Sequence, residues 1–213
     1  MPAITGYKQV SLKELVNTFN RIGESGELKA AAILSTFSCP LNPDVEDFIR
    51  SKAIEFSKQG IAATHLVFAS YQDQVVLVGY YALANKPVCI KGSELNSNWR
   101  SKMSRFAKYD VDSKRYYIAL PLIGQLGKNF CNDYNKLITG AELLQMALDK
   151  IRETQYIMGG KITYLECEDK PKLIDFYKAN GFIPFANRNI TRGELGLSDS
   201  QYLVQMLRYF PDK

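Results

Sequence analysis

One stretch constrains the fold more than any other: an apolar run with two close glycines, followed by an amphipathic run. Residues 116–123 are apolar, aromatic or β-branched, which predicts a buried strand. Gly124 and Gly127 follow in the same run, and glycines this close in a strand pattern indicate a bulge or a close approach to the backbone. Past a polar connection, apolar residues recur at helical spacing at Leu143, Leu144, Ala147, Leu148 and Ile151.

A strand, a polar turn and a helix in this order are compatible with two interpretations. The free N–H groups at a helix N-terminus attract phosphate, so the turn can bind an anion. The same order also occurs at ordinary strand-to-helix turns, and Thr139 is placed to cap such a helix. Spacing alone leaves both interpretations open.

Composition limits the protein class. The chain has 213 residues, of which 46% are hydrophobic and 23% charged, and this predicts one globular domain over residues 1–213. The net charge of +5 favours an anionic partner, for which a polyanionic cofactor is sufficient. The four cysteines show no C-x-x-C spacing and no nearby histidine, so we expect a reduced protein without a metal site. No apolar run is long enough to span a membrane and no signal-peptide core is visible, which predicts a cytoplasmic protein with no membrane contact.

The first half of the chain predicts helices and strands in alternation. Ser11 to Glu14 is a capping box that starts a helix, and residues 30–37 are predicted as a strand. Asn42, Pro43 and Asp44 start a second helix, which Gly60 ends. Residues 64–70 and 75–83 are predicted as a hairpin around Gln72-Asp73.

The second half adds a basic insertion and the last elements. Residues 86–115 are polar and irregular, and within them Arg100 to Arg115 is strongly basic with aromatic residues interspersed. That segment is compatible with a solvated helix or with a groove wall for a polyanion. Further strands are predicted at residues 162–167, 182–185 and 202–209, with a short helix opened by Pro171. The order predicts an α/β or α+β sheet with helices packed on it.

Three separated motifs resemble the GNAT N-acetyltransferases. I-G-Q-L-G-K-N followed by N-K-L-I-T-G-A-E-L-L is similar to the acetyl-CoA-binding core of that family. The stretch from Phe37, F-S-C-P-L-N-P-D-V-E-D-F-I-R, is similar to the opening of one branch, which contains tRNA-acetylating toxins. Near the C-terminus, L-I-D-F-Y-K-A-N-G-F matches the family's F-Y-x-x-x-G-F signature. The resemblance covers residues 30–210.

The resemblance implies a fold and a cofactor site. The expected fold is GNAT-like: a mixed, mostly antiparallel central sheet with a bulged, splayed strand pair and helices on both faces. Acetyl-CoA is the expected acetyl donor and co-substrate. Two residues depart from the pyrophosphate motif: Asn135 stands where the motif has Arg or Gln, and Ile138 stands where it has its first glycine. The residues implied at the cofactor are Leu126, Gly127 and Lys128 on the strand, Asn135, Lys136, Ile138, Thr139, Gly140 and Ala141 in the turn, and Phe176.

The resemblance also implies catalytic roles. Tyr177, in the F-Y-x-x-x-G-F signature, is the expected proton donor to the departing thiolate, although packing alone would also explain an aromatic pair there. Glu166, at the end of a predicted strand, is the candidate general base, with a solvated strand end as the alternative. His65 is interpreted as a sheet histidine. Cys167 could serve as a nucleophile, but direct transfer to the amine is the simpler mechanism.

The predicted function is therefore acetyl-CoA-dependent transfer of an acetyl group to a primary amine of unknown identity, by a monomer or homodimer. Two alternatives stay open. One is a toxin-like enzyme that acetylates aminoacyl-tRNA, with the basic 100–115 segment contacting the RNA. The other is a non-catalytic GNAT-like module that binds acyl-CoA or a partner, which the departure at Ile138 favours.

Overall fold

The structure is a computed structural model that describes residues 6–190 and 202–211. Within those residues a mixed sheet has the strand order β1-β2-β3-β5-β6-β8-β7, with β4 paired to β5. The β5–β6 pair is parallel, whereas β1–β2, β2–β3, β4–β5, β6–β8 and β7–β8 are antiparallel. The strands are β1 Tyr7–Ser11, β2 Ala63–Tyr71, β3 Gln74–Lys91, β4 Lys108–Asp110, β5 Arg115–Lys128, β6 Ile162–Glu168, β7 Ile183–Asn189 and β8 Tyr202–Tyr209.

Helices of very different length connect the strands. The α-helices of the described residues are α1 Leu12–Arg21, α2 Gly26–Leu34, α3 Pro43–Asp47, α4 Ala53–Gln59, α5 Ser97–Met103, α6 Gly140–Met158 and α7 Pro171–Ala179. A π-helical turn, Phe48–Lys52, joins α3 to α4, and short 3-10 turns cover Gly92–Glu94 and Cys131–Lys136. In the part of the chain that the structure describes, no helix has the length and apolar character needed to cross a membrane.

The chain folds into two compact units, each built from separate segments. Among the described residues, the first unit contains 6–84 and 124–149, and the second contains 85–123, 150–190 and 202–211. The predicted basic insertion, residues 86–115, belongs to the second unit. The prediction of a single domain over the whole chain stays a prediction.

In the first unit, helices α1 to α4 and strands β2 and β3 share an apolar core. Its largest fully buried side chains include Phe37, Tyr80, Leu34 and Ile49. Helices α1 and α2 pack closely because residue 26 is glycine: a Cβ there would lie 2.1 Å from the carbonyl oxygen of Val16. Asn42 caps α3 by accepting hydrogen bonds from the N–H groups of Asp44 and Val45, as the sequence predicted.

In the second unit, α5 packs on residues from β3, β5, β6 and β8. Trp99 and Met103 of α5 are buried in this core, together with Tyr164 and Leu207. The side chains of strand β6 alternate between the two faces of the sheet. Tyr164 and Glu166 lie on one face, and Thr163, Leu165 and Cys167 lie on the other.

Several predicted elements are confirmed and two predictions are wrong. Helix α1 begins after Ser11 as expected, but the Ser11 side chain makes no capping hydrogen bond, so the predicted capping box does not form. The β2–β3 hairpin turns at Gln72 and Asp73, both with positive φ, and β8 has the predicted bounds. Residues 30–37 are not a strand, because most of them belong to helix α2. The sequence G-E-L-K-A-A-A-I-L of α2 is rich in strong helix formers, and the close α1–α2 packing stabilises the helical state. The prediction also missed β1 and ended β3 before its true end at Lys91.

Candidate active site

The turn between β5 and α6 ends in a reciprocal capping box. The Oε2 atom of Glu142 accepts hydrogen bonds from the Thr139 N–H, at 2.8 Å, and from the Thr139 hydroxyl, at 2.7 Å. In return, the Glu142 N–H donates to Thr139 Oγ1 at 3.1 Å. These bonds hold the pKa of Glu142 below its usual value. Thr139 therefore caps α6, as predicted, and the T-x-x-E spacing that signals its partner Glu142 was present in the sequence but not used.

The capping box leaves a specific pair of backbone donors for a ligand. The first hydrogen bond of α6 runs from the Leu143 N–H to the Thr139 carbonyl, so Gly140 and Ala141 occupy the first two helical positions. A helix has no internal acceptor for the N–H groups at these positions. Since Glu142 and Thr139 satisfy each other, the N–H groups of Gly140 and Ala141 are the ones that remain for an anion. Both were among the predicted cofactor residues.

Ile138 does not stand in the way of such a ligand. Its side chain is 2% exposed and packs inside the protein, as does the neighbouring Leu137. Although Ile138 replaces a glycine of the motif, its side chain therefore lies in the core and not on the ligand side of the turn. We conclude that Ile138 is compatible with an anion at the N-terminus of α6.

Side chains from two strands hold the turn in place. Lys128, at the end of β5, donates from Nζ to the carbonyl oxygen of Asn135 at 3.0 Å. Tyr7, in β1, donates from its hydroxyl to the carbonyl oxygen of Leu137 at 2.8 Å. Lys136 is exposed and pairs with Asp133 at 2.8 Å.

One polar atom of the turn is unsatisfied. The Oδ1 atom of Asn135 is buried without a hydrogen-bond partner among the residues that the structure describes. Such an atom is expected to have a partner in a working protein, so it is available to a ligand or to water. Asn135 was predicted at the cofactor, and its side chain does turn inward.

The predicted close approach at Gly127 is confirmed, but the approaching group belongs to the protein itself. A Cβ on Gly127 would lie 2.4 Å from Cγ1 of Val45 and 3.3 Å from the Phe37 ring. Glycine is therefore required at position 127 for α3 to pack against β5. Leu126 and Lys128, on either side, are half-buried.

Asn129 is a site residue that sequence reasoning missed. It is 1% exposed, and its amide donates to the Leu77 carbonyl at 2.8 Å. Its Oδ1 atom accepts from the N–H groups of Ser38, at 2.9 Å, and Cys131, at 3.0 Å. Asn129 thus connects the end of β5, the start of the turn and the segment after α2. No local pattern signals this role, because two of its three partners, Ser38 and Leu77, are distant in sequence.

Tyr177 is buried in the second unit, on helix α7. Its ring contacts Phe176 edge-on at 5.1 Å and Phe182 at 5.8 Å, so packing accounts for part of its role. Burial, with a smaller contribution from Cys167, raises the pKa of the Tyr177 phenol well above its usual value. The phenol is therefore fully protonated at neutral pH, the state that a proton donor requires.

Glu166 is held in a dense polar network. Arg188 donates to it from Nε at 2.9 Å and from Nη2 at 2.8 Å, and the Tyr164 hydroxyl donates at 2.5 Å. Lys86 lies 3.1 Å away, and Gln205 donates to it at 3.3 Å. Burial pushes the pKa of Glu166 upward, but the hydrogen bonds of Arg188 and Tyr164 and the charge of Lys86 outweigh it and lower the pKa to about 2.

This environment does not suit the predicted role of Glu166 as a general base. A base for neutral pH needs a pKa near the working pH and a free lone pair directed at the substrate. Glu166 has a strongly depressed pKa, and its carboxylate binds two cations and a phenol. The geometry favours an anchoring role for Glu166 in which it connects β6 to Lys86 and Arg188.

The other reactive side chains have no catalytic geometry. The Cys167 thiol is buried against Met206, and burial raises its pKa to about 12, which opposes its action as a nucleophile. His65 stacks on Tyr81 with a ring separation of 5.0 Å, in agreement with its interpretation as a sheet histidine.

The basic segment is only partly available to a partner. Arg100, Arg105 and Lys108 are exposed. Lys102 instead lies over the rings of Trp99, at 5.2 Å, and Tyr209, at 4.6 Å. Among the aromatic residues of the segment, Trp99 is 6% exposed and therefore cannot stack on an unpaired base, whereas Phe106 is 37% exposed.

Comparison with known proteins gives a fold and no close relative. No family model matches the sequence, and no curated protein matches it. Solved structures do match. AtaT complexed with acetyl-methionyl-tRNAfMet is 16% identical, with a TM-score of 0.60 over 97% of this chain and 95% of AtaT. A bacterial toxin structure has 13% identity and a TM-score of 0.56 over 98% of this chain and 92% of its own. AtaTR bound with AcCoA has 15% identity and a TM-score of 0.51, covering 93% and 91%.

The chain has the GNAT-like fold. The mixed, mostly antiparallel sheet that the sequence predicted is thereby confirmed. In this GNAT-like fold, the segment from Asn135 to Ala141 connects the strand β5 to the long helix α6 and includes the first two residues of that helix.

Proposed function

We propose that this protein is an acetyl-CoA-dependent N-acetyltransferase that transfers the acetyl group directly to a primary amine. One observation carries the proposal: the capping box of α6 leaves the N–H groups of Gly140 and Ala141 for an anion, in a fold shared with a structure bound with AcCoA. Acetyl-CoA supplies the thioester that the amine attacks.

Different groups of the protein are assigned to different parts of acetyl-CoA. The turn from Asn135 to Ala141, including Lys136, Ile138 and Thr139, holds the pyrophosphate through backbone N–H groups. Backbone N–H groups at Leu126 to Lys128 polarise the acetyl carbonyl, a role that preorganised donors perform well. Phe176 contributes apolar contact to the cofactor. The motif order supports all of these assignments, and the hydrogen bonds at the start of α6 support the one for the turn.

Tyr177 serves as the proton donor to the departing thiolate. Its phenol is held by aromatic packing and stays protonated at neutral pH, which supports the role. Because the Glu166 carboxylate is engaged with Arg188 and Lys86, we assign proton removal from the amine to solvent water and not to Glu166.

For the acceptor, we propose an aminoacyl-tRNA as the first class to test, within a cytoplasmic setting. AtaT, which shares the fold, is complexed with acetyl-methionyl-tRNAfMet. In this chain, Arg100, Arg105 and Lys108 present exposed positive charge, and Phe106 and Tyr109 are exposed aromatic side chains in the same segment. Small amines and protein amino groups are the competing acceptor classes. If the protein is a non-catalytic module, it has no acceptor and binds a partner protein instead.

The test of the cofactor assignment is a binding titration with acetyl-CoA, followed by thermal unfolding. A ligand that binds only the native state raises the melting temperature by mass action. Gly140→Asp should abolish that rise, because it adds a carboxylate beside the two free N–H groups. A rise that persists unchanged in the variant would place the anion site elsewhere.

The test of the acceptor uses one variant in which Arg100, Arg105 and Lys108 are all changed to Gln. Its transfer to total aminoacyl-tRNA should fall, and each lost phosphate contact should reduce the salt dependence of binding by about one unit of slope. Transfer to small amines should hold. If the unchanged protein acetylates small amines but no tRNA, the RNA acceptor is wrong. If it binds acetyl-CoA but releases no thiol with any amine class, the non-catalytic alternative is correct.

A further inference from the structure

Tyr7 makes a long-range contact to the turn that precedes α6. Its hydroxyl donates to the Leu137 carbonyl at 2.8 Å, across a sequence separation of 130 residues. The backbone of Tyr7 is itself fixed, since β1 pairs with β2 from Tyr7↔Ala69 to Ser11↔His65. The phenol therefore reaches the turn from the edge strand of the sheet.

This contact determines which way a peptide group points. In a trans peptide, the carbonyl of one residue and the N–H of the next point in opposite directions. Since the Leu137 carbonyl points to Tyr7, the N–H of Ile138 points away from Tyr7. Lys128 holds the Asn135 carbonyl in the same manner. N–H groups that have no internal acceptor at a helix N-terminus are available to bind an anion.

Tyr7 also lies beside the capping box. Burial and the nearby negative charge of Glu142 raise the pKa of the Tyr7 phenol. Tyr7 thus contacts the carbonyl that precedes Ile138 and lies close enough to the capping side chain of α6 to feel its charge.

We propose that Tyr7 is a positioning residue for the phosphates of the cofactor: it holds the segment 137–142 in the conformation that directs its N–H groups at an anion. This inference rests on the proposed function, because it assigns a cofactor phosphate to that segment. The consequence is that β1, which no motif connects to catalysis, controls the affinity for the nucleotide part of the cofactor. Preorganised donors lose less entropy on binding, so loosening them lowers affinity.

The test is Tyr7→Phe, which retains the ring and removes only the hydroxyl. Calorimetry should show acetyl-CoA binding weakened by about two- to tenfold, the range for one lost hydrogen bond. Binding of S-acetylpantetheine, which has no pyrophosphate, should stay within about twofold when followed by NMR titration. Hydrogen exchange of the free variant should be faster at residues 137–142 than in the unchanged protein.

The matched control is Tyr81→Phe. The Tyr81 hydroxyl also contacts β1, through Gln9 at 2.6 Å, but that contact does not involve the turn. Its removal should leave acetyl-CoA binding within about twofold, which separates a general loosening of β1 from the local effect at Leu137.

The outcomes separate this inference from the proposed function. If the unchanged protein does not bind acetyl-CoA, the proposed function fails and the role of Tyr7 fails with it. If the unchanged protein binds and Tyr7→Phe binds equally well, only the role of Tyr7 is overturned. Equal weakening of acetyl-CoA and S-acetylpantetheine binding would also overturn it, because a phosphate-specific effect must spare the ligand that has no phosphate.

Discussion

Replacement of Glu166 by Gln tests two things: how much the Glu166 carboxylate stabilises the protein, and whether it acts as a general base. The native carboxylate has a pKa lowered from 4.5 to about 2, because the bonds from Arg188 and Tyr164 and the charge of Lys86 outweigh burial. At about 1.36 kcal/mol per pKa unit, this difference corresponds to about 3 kcal/mol of native-state stability at neutral pH. Removal of one partner of a buried ion pair costs about 3–5 kcal/mol, which is a consistent magnitude. The Glu166 side chain is 10% exposed, so solvent screens the pair only weakly.

The pH dependence follows from the direction of the shift. The folded pKa is depressed, so the stabilisation is complete above about pH 4.5 and is lost as the pH falls towards 2. Urea unfolding followed by circular dichroism should therefore show Glu166→Gln about 3 kcal/mol less stable at pH 7, with a smaller difference at pH 3. Glu153→Gln, which removes the same charge from a side chain that is 63% exposed, should change stability by less than about 0.5 kcal/mol.

Two results would refute this reasoning. The first is a Gln variant as stable as the unchanged protein at pH 7. The second is a stability difference that is the same at pH 7 and pH 3. A stable variant that loses turnover by about 10²–10⁴-fold would instead restore Glu166 as the general base.

Three further predictions concern the proposed site. Tyr177→Phe should retain acetyl-CoA affinity and reduce turnover by about 10²–10⁴-fold in a thiol-release assay; undiminished turnover would remove Tyr177 from the mechanism. Glu142→Gln should tighten acetyl-CoA binding by about two- to fivefold at low salt, because it removes a negative charge from the α6 N-terminus, and the gain should shrink in 0.5 M salt; equal affinities would contradict a phosphate site there. Gly127→Ala should destabilise the protein by about 1–3 kcal/mol, because its methyl group meets Val45, and Val45→Ala in the same chain should recover part of that loss.

The sequence alone determined the elements whose signals are local. Helical periodicity and a capping residue located α6 and its start at Thr139–Gly140, and turn residues located the β2–β3 hairpin. The asparagine cap of α3 followed from adjacent residues as well. These features were predictable because each depends on contacts within a few positions of the chain.

Residues 30–37 show where local signals fail. The run from Ala30 is apolar enough to suggest a strand, yet the same residues form α2, because Gly26 lets α2 pack directly on the backbone of α1. Tertiary packing decided between two states of similar local preference. Trp99 is a second case, since only the structure shows that it faces the core and not a ligand.

For the candidate site too, some features followed from the sequence and others only from the structure. The sequence pointed to the turn from Asn135 to Ala141 and to Tyr177, but it could not show that the Ile138 side chain is buried or that Glu166 is bound by Arg188. Nor could it connect Tyr7 to Leu137, because no pattern links residues 130 positions apart. The chemistry available to a side chain depends on its neighbours in space, and those neighbours come from strands that only the folded sheet brings together.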